Sequence, residues 1–411
     1  MPARLVEDST SEASGAFSLQ IQRPRMLSSE EDLALARAIF ARHPDDAQVL
    51  QRLAAALMKL DKFDEAIALL ETQRREQPRD LLTLANALLY REQGDDNLRA
   101  KALAERAVDL SGSPAERATA LATVAKVQSR LEKDDEARVL LEAALEADPQ
   151  EKDAYKRLFH NLLRTDPQAA LEFAEARIRK GVVHARVLGS WALVLTLMGR
   201  FEEARRAAGI DDFLAEIEPA PPEGWSSLEE FNAALAEEVL SHPNMRYGRY
   251  GVASAKSWRV DDPLLGRTKL FQQLTQMIKR EIEAYVATLP PGSHPVVRAK
   301  PERALMHNWC VITEGDGYET WHVHQNGWFS GVYYIHVQDH IVNGTGPEGC
   351  IAFGMHEGFV GKEAAAGFGE SVVRPHSGLM MLFPSHLFHR TYPHNGSGRR
   401  ICFAFDVVPS A

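Results

Sequence analysis

Three cysteines in 411 residues, Cys310, Cys350 and Cys402, are too few and too scattered for a disulfide framework or a thiolate zinc site. A long hydrophobic run is also missing. The longest, LGSWALVLTLM at 188–198, is about half a membrane span and reads as a buried helix. Nor is there a basic excess: 47 Lys and Arg stand against 57 Asp and Glu, a formal charge of −10, so no global field favours nucleic acid or an anionic membrane. Residues 1–27 hold no apolar stretch of signal-peptide length and are expected to form a disordered arm. These absences give the expectation of a cytoplasmic protein in a reducing compartment, with neither nucleic acid nor membrane as partner. The rest of the composition is ordinary, with 45% hydrophobic and 25% charged residues, which excludes a mostly disordered or fibrous chain. The length suggests two or three domains.

The chain has two halves of different texture. Residues 28–209 are rich in Ala, Leu, Glu and Arg, with apolar residues at helical spacing. Pro44, Pro78, Pro114 and Pro149 are 34, 36 and 35 residues apart, and each could close one helical hairpin. A turn signature recurs as FDEA at 63–66, DDEA at 134–137 and FEEA at 201–204. A period near 34 with helix–turn–helix units resembles the tetratricopeptide repeat, over four to five degenerate units. The second unit has QGDDNLRAKA where the Glu-Ala pair belongs, and the fourth is irregular around 166–170. Such arrays stack into a solenoid with a concave groove, which offers protein or peptide binding. The alternative is an array that only packs on the other half or drives oligomerisation.

A Pro-rich stretch within 210–225 reads as a linker. Helix-like segments follow at 228–240 and 270–289. From about residue 296 the chain turns strand-like, with candidate strands at 304–312, 317–324, 330–337, 350–353, 379–383 and 400–408. Short strands without intervening helices suggest a sandwich or jelly roll, one sheet of it covered by the preceding helices.

Ten of the fifteen histidines fall in residues 301–411. His322 and His324 form an HVH triplet; in a strand they would share one face roughly 7 Å apart and could converge on one metal ion. His389 follows the apolar run GLMMLFPSHLFH. Arg400 opens the strand RICFAFDV. Arg400, Cys402 and Ala404 share one face, and Ile401, Phe403 and Phe405 share the other. An Arg in a cavity lined by small residues calls for a carboxylate partner. Tyr334, in SGVYYI, could offer its hydroxyl to the same anion. His376, His386 and His394 read as surface or pocket-rim residues, and Cys402 as a packing residue. GTGPEG at 344–349 is turn material. The Gly- and Ala-rich stretch 355–370 is either a lid or an exposed insertion.

Three stretches carry a resemblance: WHVHQNGWFSGVYYI at 321–335, SGLMMLFPSHLFHRTYP at 377–393 and RRICFAF at 399–405. In this order and spacing they resemble the 2-oxoglutarate and Fe(II)-dependent oxygenases, over residues 226–411. The resemblance implies a double-stranded β-helix that binds Fe(II), 2-oxoglutarate and O2 and hydroxylates a second substrate. It implies His322 and His389 as metal ligands, Arg400 as partner of the far carboxylate of 2-oxoglutarate, and Tyr334 beside it. Asn308 and Trp309, on a preceding strand, are further candidates for lining the cosubstrate pocket. One departure stands out. The usual triad is two His and one carboxylate, and His324 occupies the carboxylate position. His324 is expected to ligate, with a place outside the coordination sphere or against the substrate as alternatives. The expected architecture is therefore a repeat solenoid fused to an oxygenase jelly roll with flanking helices, acting on a protein or peptide held by the repeats. Two rival readings stay open: a binding scaffold with a degenerate oxygenase domain, and a three-His metal enzyme of another class.

Overall fold

The computed structural model describes residues 17–410, apart from 74, 250, 267 and 293. The chain begins with β1 (Ser18–Ile21) and α1 (Ser29–Arg42). Five helical hairpins follow: α2 (Ala47–Lys59) with α3 (Phe63–Gln73), α4 (Pro78–Arg91) with α5 (Asp96–Leu110), α6 (Pro114–Arg130) with α7 (Asp134–Ala147), α8 (Lys152–Thr165) with α9 (Pro167–Arg179), and α10 (Ala185–Leu197) with α11 (Phe201–Ala208). Helix starts are written locally. Ser28 and Glu31 make a reciprocal capping box at α1, and the Asp46 and Ser113 side chains cap α2 and α6. Pro78 and Pro114 sit in the first turns of α4 and α6, so they open a unit rather than close the previous one. The recurrent alanine of the turn signature, Ala66, Ala137 and Ala204, is buried in each case, which lets paired helices approach closely.

The second half runs α12 (Ile210–Phe213), β2 (Ala215–Ile217), α13 (Leu228–Leu240), β3 (Met245–Tyr247), β4 (Ser254–Asp261), α14 (Lys269–Thr288), α15 (Pro295–Arg298), β5 (Arg303–Glu319), β6 (Phe329–His336), α16 (Asp339–Val342), β7 (Ile351–Phe353), α17 (Glu357–Val360), α18 (Lys362–Phe368), β8 (Ser371–Val373), β9 (Met380–Pro384), β10 (His389–Thr391) and β11 (Arg399–Pro409). The larger sheet has the order β2-β9-β6-β11-β5-β4-β3, with β1 added parallel to β5. The smaller sheet is β10-β7-β8. Alternation sorts the side chains of the large sheet. Ile401, Phe403 and Phe405 pack with Phe231, Phe271 and Ile278 of α13 and α14, while the opposite face turns toward the small sheet. The result is a two-sheet jelly roll preceded by helices, as the sequence pattern predicts.

Two boundaries differ from expectation. Within 1–27, residues 1–16 lie outside the described residues, but Ser18–Ile21 form β1 instead of a disordered arm. The expected linker is structured too: β2 pairs with β9 and caps its edge, and the Tyr285 hydroxyl donates to Phe213 O at 2.9 Å. The stretch 355–370 stays exposed along one side, with His356 and Phe359 lining a cavity that His322 shares, and is tied to the repeats along the other. Val360 and Phe368 are buried, Arg205 Nη1 of α11 donates to Phe368 O at 3.1 Å, and a Cβ on Gly367 would meet the Phe201 ring.

The two halves share one core. A single buried cluster runs from Leu158, Leu193 and Val194 of the repeats to Phe383, Phe353 and Leu387 of the jelly roll. Near its other end the solenoid touches the β domain again. Arg246 of β3 donates to Lys59 O at 2.7 Å and pairs with Asp61, and Lys59 Nζ lies 2.5 Å from the Asp262 carboxylate.

Candidate active site

His322 and His324 do not lie in a strand. β5 ends at Glu319, and His322 makes a lone bridge to His389: each N–H donates to the other's carbonyl, at 3.0 and 3.1 Å. The His324 N–H donates to Ser385 O at 2.9 Å, which holds the following loop against the end of β9. These backbone bonds bring together three imidazoles whose ligand atoms all lie within 4.8 Å of one another.

Each Nδ1 has an acceptor. His322 Nδ1 faces Thr320 O at 2.7 Å, His389 Nδ1 faces Leu387 O at 3.0 Å, and His324 Nδ1 faces Asp406 Oδ1 at 2.6 Å. Carbonyl oxygens only accept, so in His322 and His389 the proton sits on Nδ1. Burial, reinforced by the neighbouring imidazoles, holds His322 down to about 3 and His389 well below the usual histidine range. Their Nε2 atoms are therefore bare lone pairs. His324 Nε2 lies 3.2 Å from His389 Nε2. Two nitrogens each about 2.1 Å from one ion, at octahedral or tetrahedral angles, would stand about 3.0–3.4 Å apart. The donor set, its orientation and its spacing all fit a transition metal that accepts imidazole.

The position that would be a carboxylate in the usual triad holds His324, but a carboxylate stands directly behind it. Asp406 Oδ1 accepts from His324 Nδ1 and also from Ser330 Oγ at 2.7 Å, and Ser330 Oγ is 2.6 Å from Ser385 Oγ. Burial alone would raise the Asp406 carboxyl; the adjacent His324 and the Ser330 hydroxyl outweigh it and hold it below the ordinary carboxylate range. The ring of Trp309 stacks on His324 at 5.5 Å, and Arg259 lies over the same Trp at 4.7 Å.

The three histidines line a cavity of about 310 Å³ between the two sheets, together with Arg400, Tyr334, Trp309, Thr391, Glu319 and Asp406. Arg400 is 2% exposed. Its Nη1 donates to Gly349 O at 2.6 Å and its Nη2 to Thr391 Oγ1 at 3.3 Å, while Nε is buried with no partner. Among the described residues it forms no ion pair. A buried guanidinium with an unmet donor, in a cavity with a metal-type donor set, fits an anionic ligand. Cys402 also faces the cavity, but burial pushes its thiol up to about 11, which suits packing rather than nucleophilic attack.

Not every candidate from the sequence reaches the site. Asn308 lies on the other face of β5, paired with Phe405, and does not line the cavity; its neighbour Trp309 does. His386 and His394 are buried rather than at the surface or rim, their Nε2 atoms facing Ala207 O at 3.2 Å and Thr313 O at 3.3 Å. His376 is exposed beside Glu218. Asp406, Glu319 and Arg259 escape the sequence reading. Asp406 had a signal: it has the parity of Arg400, Cys402 and Ala404 on the same strand.

A sequence profile of the family described as "Putative 2OG-Fe(II) oxygenase" matches residues 307–406. No curated protein matches the chain. Solved structures similar to it include a prolyl-4-hydroxylase of Pseudomonas putida, with 12% identity over 49% of this chain and 96% of that one at a TM-score of 0.32. A TPR protein of Thermus thermophilus is 19% identical over 41% of this chain and 90% of its own, at a TM-score of 0.34. The pilF protein of Pseudomonas aeruginosa is 16% identical over 44% and 81%, at a TM-score of 0.37. Among the described residues no helix is long and apolar enough to cross a membrane. The chain is a tetratricopeptide-like repeat array fused to a C-terminal domain that resembles the 2-oxoglutarate and Fe(II)-dependent oxygenases.

Proposed function

We propose that this protein is a 2-oxoglutarate- and Fe(II)-dependent dioxygenase acting on a protein or peptide. The observation that carries the proposal is the convergence of three oriented imidazoles beside a buried, under-satisfied guanidinium in one cavity. In this reading His322, His324 and His389 hold Fe(II) through Nε2, and Asp406 supplies, one imidazole further out, the negative charge that the usual triad has in direct contact. When bound, iron and 2-oxoglutarate supply the chemistry: the keto acid loses CO2 to give succinate as O2 is split, and one oxygen atom enters a C–H bond of the second substrate.

The chain's own part is binding and orientation. Arg400 offers Nε to the far carboxylate of 2-oxoglutarate, with the Tyr334 and Thr391 hydroxyls beside it. The dication, the Arg400 guanidinium, the Asp406 carboxylate and a dicarboxylate together sum to neutrality; Glu319 and Arg259 line the same cavity outside that sum. Trp309 and Phe383 exclude water from the imidazole faces.

The test is anaerobic titration with Fe(II) and 2-oxoglutarate, followed by succinate release in air. The proposal expects a weak visible absorption band that needs both additions and that Arg400→Met abolishes. Tight stoichiometric zinc with no response to 2-oxoglutarate, or neither band nor succinate, would overturn it.

A further inference from the structure

A second cavity, of about 250 Å³, adjoins the first and shares His322, Val323 and Gln325 with it. Its other wall belongs to the repeats: Lys156 and His160 of α8, and Arg186 of α10. Arg186 donates to the Gln325 side chain, and Lys152 Nζ donates to Asn326 Oδ1 at 3.2 Å. The solenoid thus grips the loop that follows the HVH triplet and stands at the mouth of the imidazole site.

That wall is basic. Lys156 of α8 and Arg186 of α10 line the cavity, and further cations stand beyond it: Lys152 and Arg157 on α8 close to Arg186 and Lys156, and Lys126 of α6 close to Arg157, 5.3 Å over the ring of Tyr90 on α4. The main counter-charge is Asp153, already 2.8 Å from Arg157 and 3.7 Å from Arg186. One guanidinium nitrogen of Arg186, Nη1, is buried without a hydrogen bond. The field is visible at His160: burial, then Lys156, Arg157, Arg164 and Arg186, hold it down to about 4. Opposite stands Phe359, 39% exposed, its ring 4.7 Å from His160. A chain of net charge −10 has gathered more cations than carboxylates at one mouth.

We propose that the repeats form the second wall of the substrate channel and that the ligand they select there is an acidic polypeptide segment. The proposal rests on the oxygenase reading only in calling that ligand a substrate. An elongated ligand follows from the row of cations, which passes from α6 through α8 to α10 rather than surrounding one point. A few spaced carboxylates suit it better than nucleic acid, because the chain's net negative charge opposes a dense run of phosphates. Phe359 gives an apolar contact between charges.

The experiment uses the full-length protein and fluorescence anisotropy, without iron or 2-oxoglutarate. The probes are a labelled peptide of alternating Glu and Gly, its Gln counterpart, and single-stranded DNA of equal length. The Glu peptide should bind about ten-fold more tightly than the Gln peptide at low salt, and the preference should vanish at high salt. Lys126→Glu combined with Lys156→Glu should abolish it. If the double variant loses helical circular dichroism, Lys156→Gln at an exposed position should still reduce the preference. Equal binding of the Glu and Gln peptides, indifference to these substitutions, or tighter binding of DNA would overturn the proposal. A protein that prefers the Glu peptide yet never forms succinate would sink the oxygenase reading alone; succinate formation without the preference would sink this one alone.

Discussion

Asp406→Asn separates charge from shape at the metal site. Asn keeps an oxygen where Asp406 Oδ1 accepts from His324 Nδ1 at 2.6 Å and from Ser330 Oγ at 2.7 Å. What is lost is the negative charge behind His324. Across one imidazole and one coordination bond, the carboxylate would stand roughly 6 Å from a dication, worth on the order of 5 kcal/mol at an effective dielectric near 20. Part of that is already spent on desolvating Asp406, which is 15% exposed in its side chain. Outer-shell carboxylates behind metal-bound histidines are typically worth about 10–100-fold in affinity, or about 1.4–2.8 kcal/mol. We expect Asp406→Asn to weaken Fe(II) or Co(II) binding within that range, and Asp406→Ala to weaken it further because the ring orientation is lost too. The assay is anaerobic Co(II) titration by visible absorbance against a competing chelator, with thermal unfolding of the metal-free protein as control. An Asp406→Asn protein that binds Co(II) as tightly as the parent would refute the idea that this carboxylate replaces the missing ligand charge.

Two further predictions concern the scaffold. In SGVYY, a Cβ on Gly331 would fall 2.3 Å from Phe405 Cζ and 2.4 Å from Met381 O; the backbone oxygen cannot give way, so Gly331→Ala should destabilise the protein by about 3 kcal/mol in denaturant unfolding, and an unchanged midpoint would count against this packing. His386 is 2% exposed with Nε2 toward Ala207 O of α11, and burial first, then His294, hold it down to about 3. The unfolded chain takes up this proton near pH ~6.5, so stability present above that pH falls as pH drops toward 3, by about 2 kcal/mol between pH 7 and 5. His386→Gln should flatten that part of the thermal-unfolding profile, and an identical pH slope in the variant would show that another group carries it.

The sequence was most legible where alternation does the work. The parity of RICFAFDV sorts Arg400, Cys402 and Ala404 into the cavity and Ile401, Phe403 and Phe405 into the core, because a strand buried on both faces tolerates no slip. Carrying the same parity one step further would have found Asp406. Asn308 was misplaced because parity within β5 has no reference until its pairing with Phe405 is known. His322 and His324 meet His389, but through a loop, since the convergence depends on backbone bonds to β10 and Ser385 that residue spacing cannot report. In the repeats the departure at 93–102 proved shallow. The Glu is gone, but Ala100 keeps the buried small side chain, and buried Asp96 closes the turn on Arg91 at 2.7 Å. The Pro-rich stretch misled because composition reads local stiffness, whereas β2 owes its order to the open edge of β9.

Helical solenoids ordinarily stretch and twist like soft springs, since each unit touches only its neighbours. Here Asp61, beside the first hairpin, and α10–α11, the last, are both anchored on the same jelly roll. Such an array works as a bow with its string attached: the span between the anchors is set by the number of hairpins, and thermal breathing of the repeats is converted into shear at the two fastenings rather than into changes of width. A guest would then have to enter end-on or as a protruding loop, and inserting or deleting one hairpin would alter what fits without touching a single residue of the metal site.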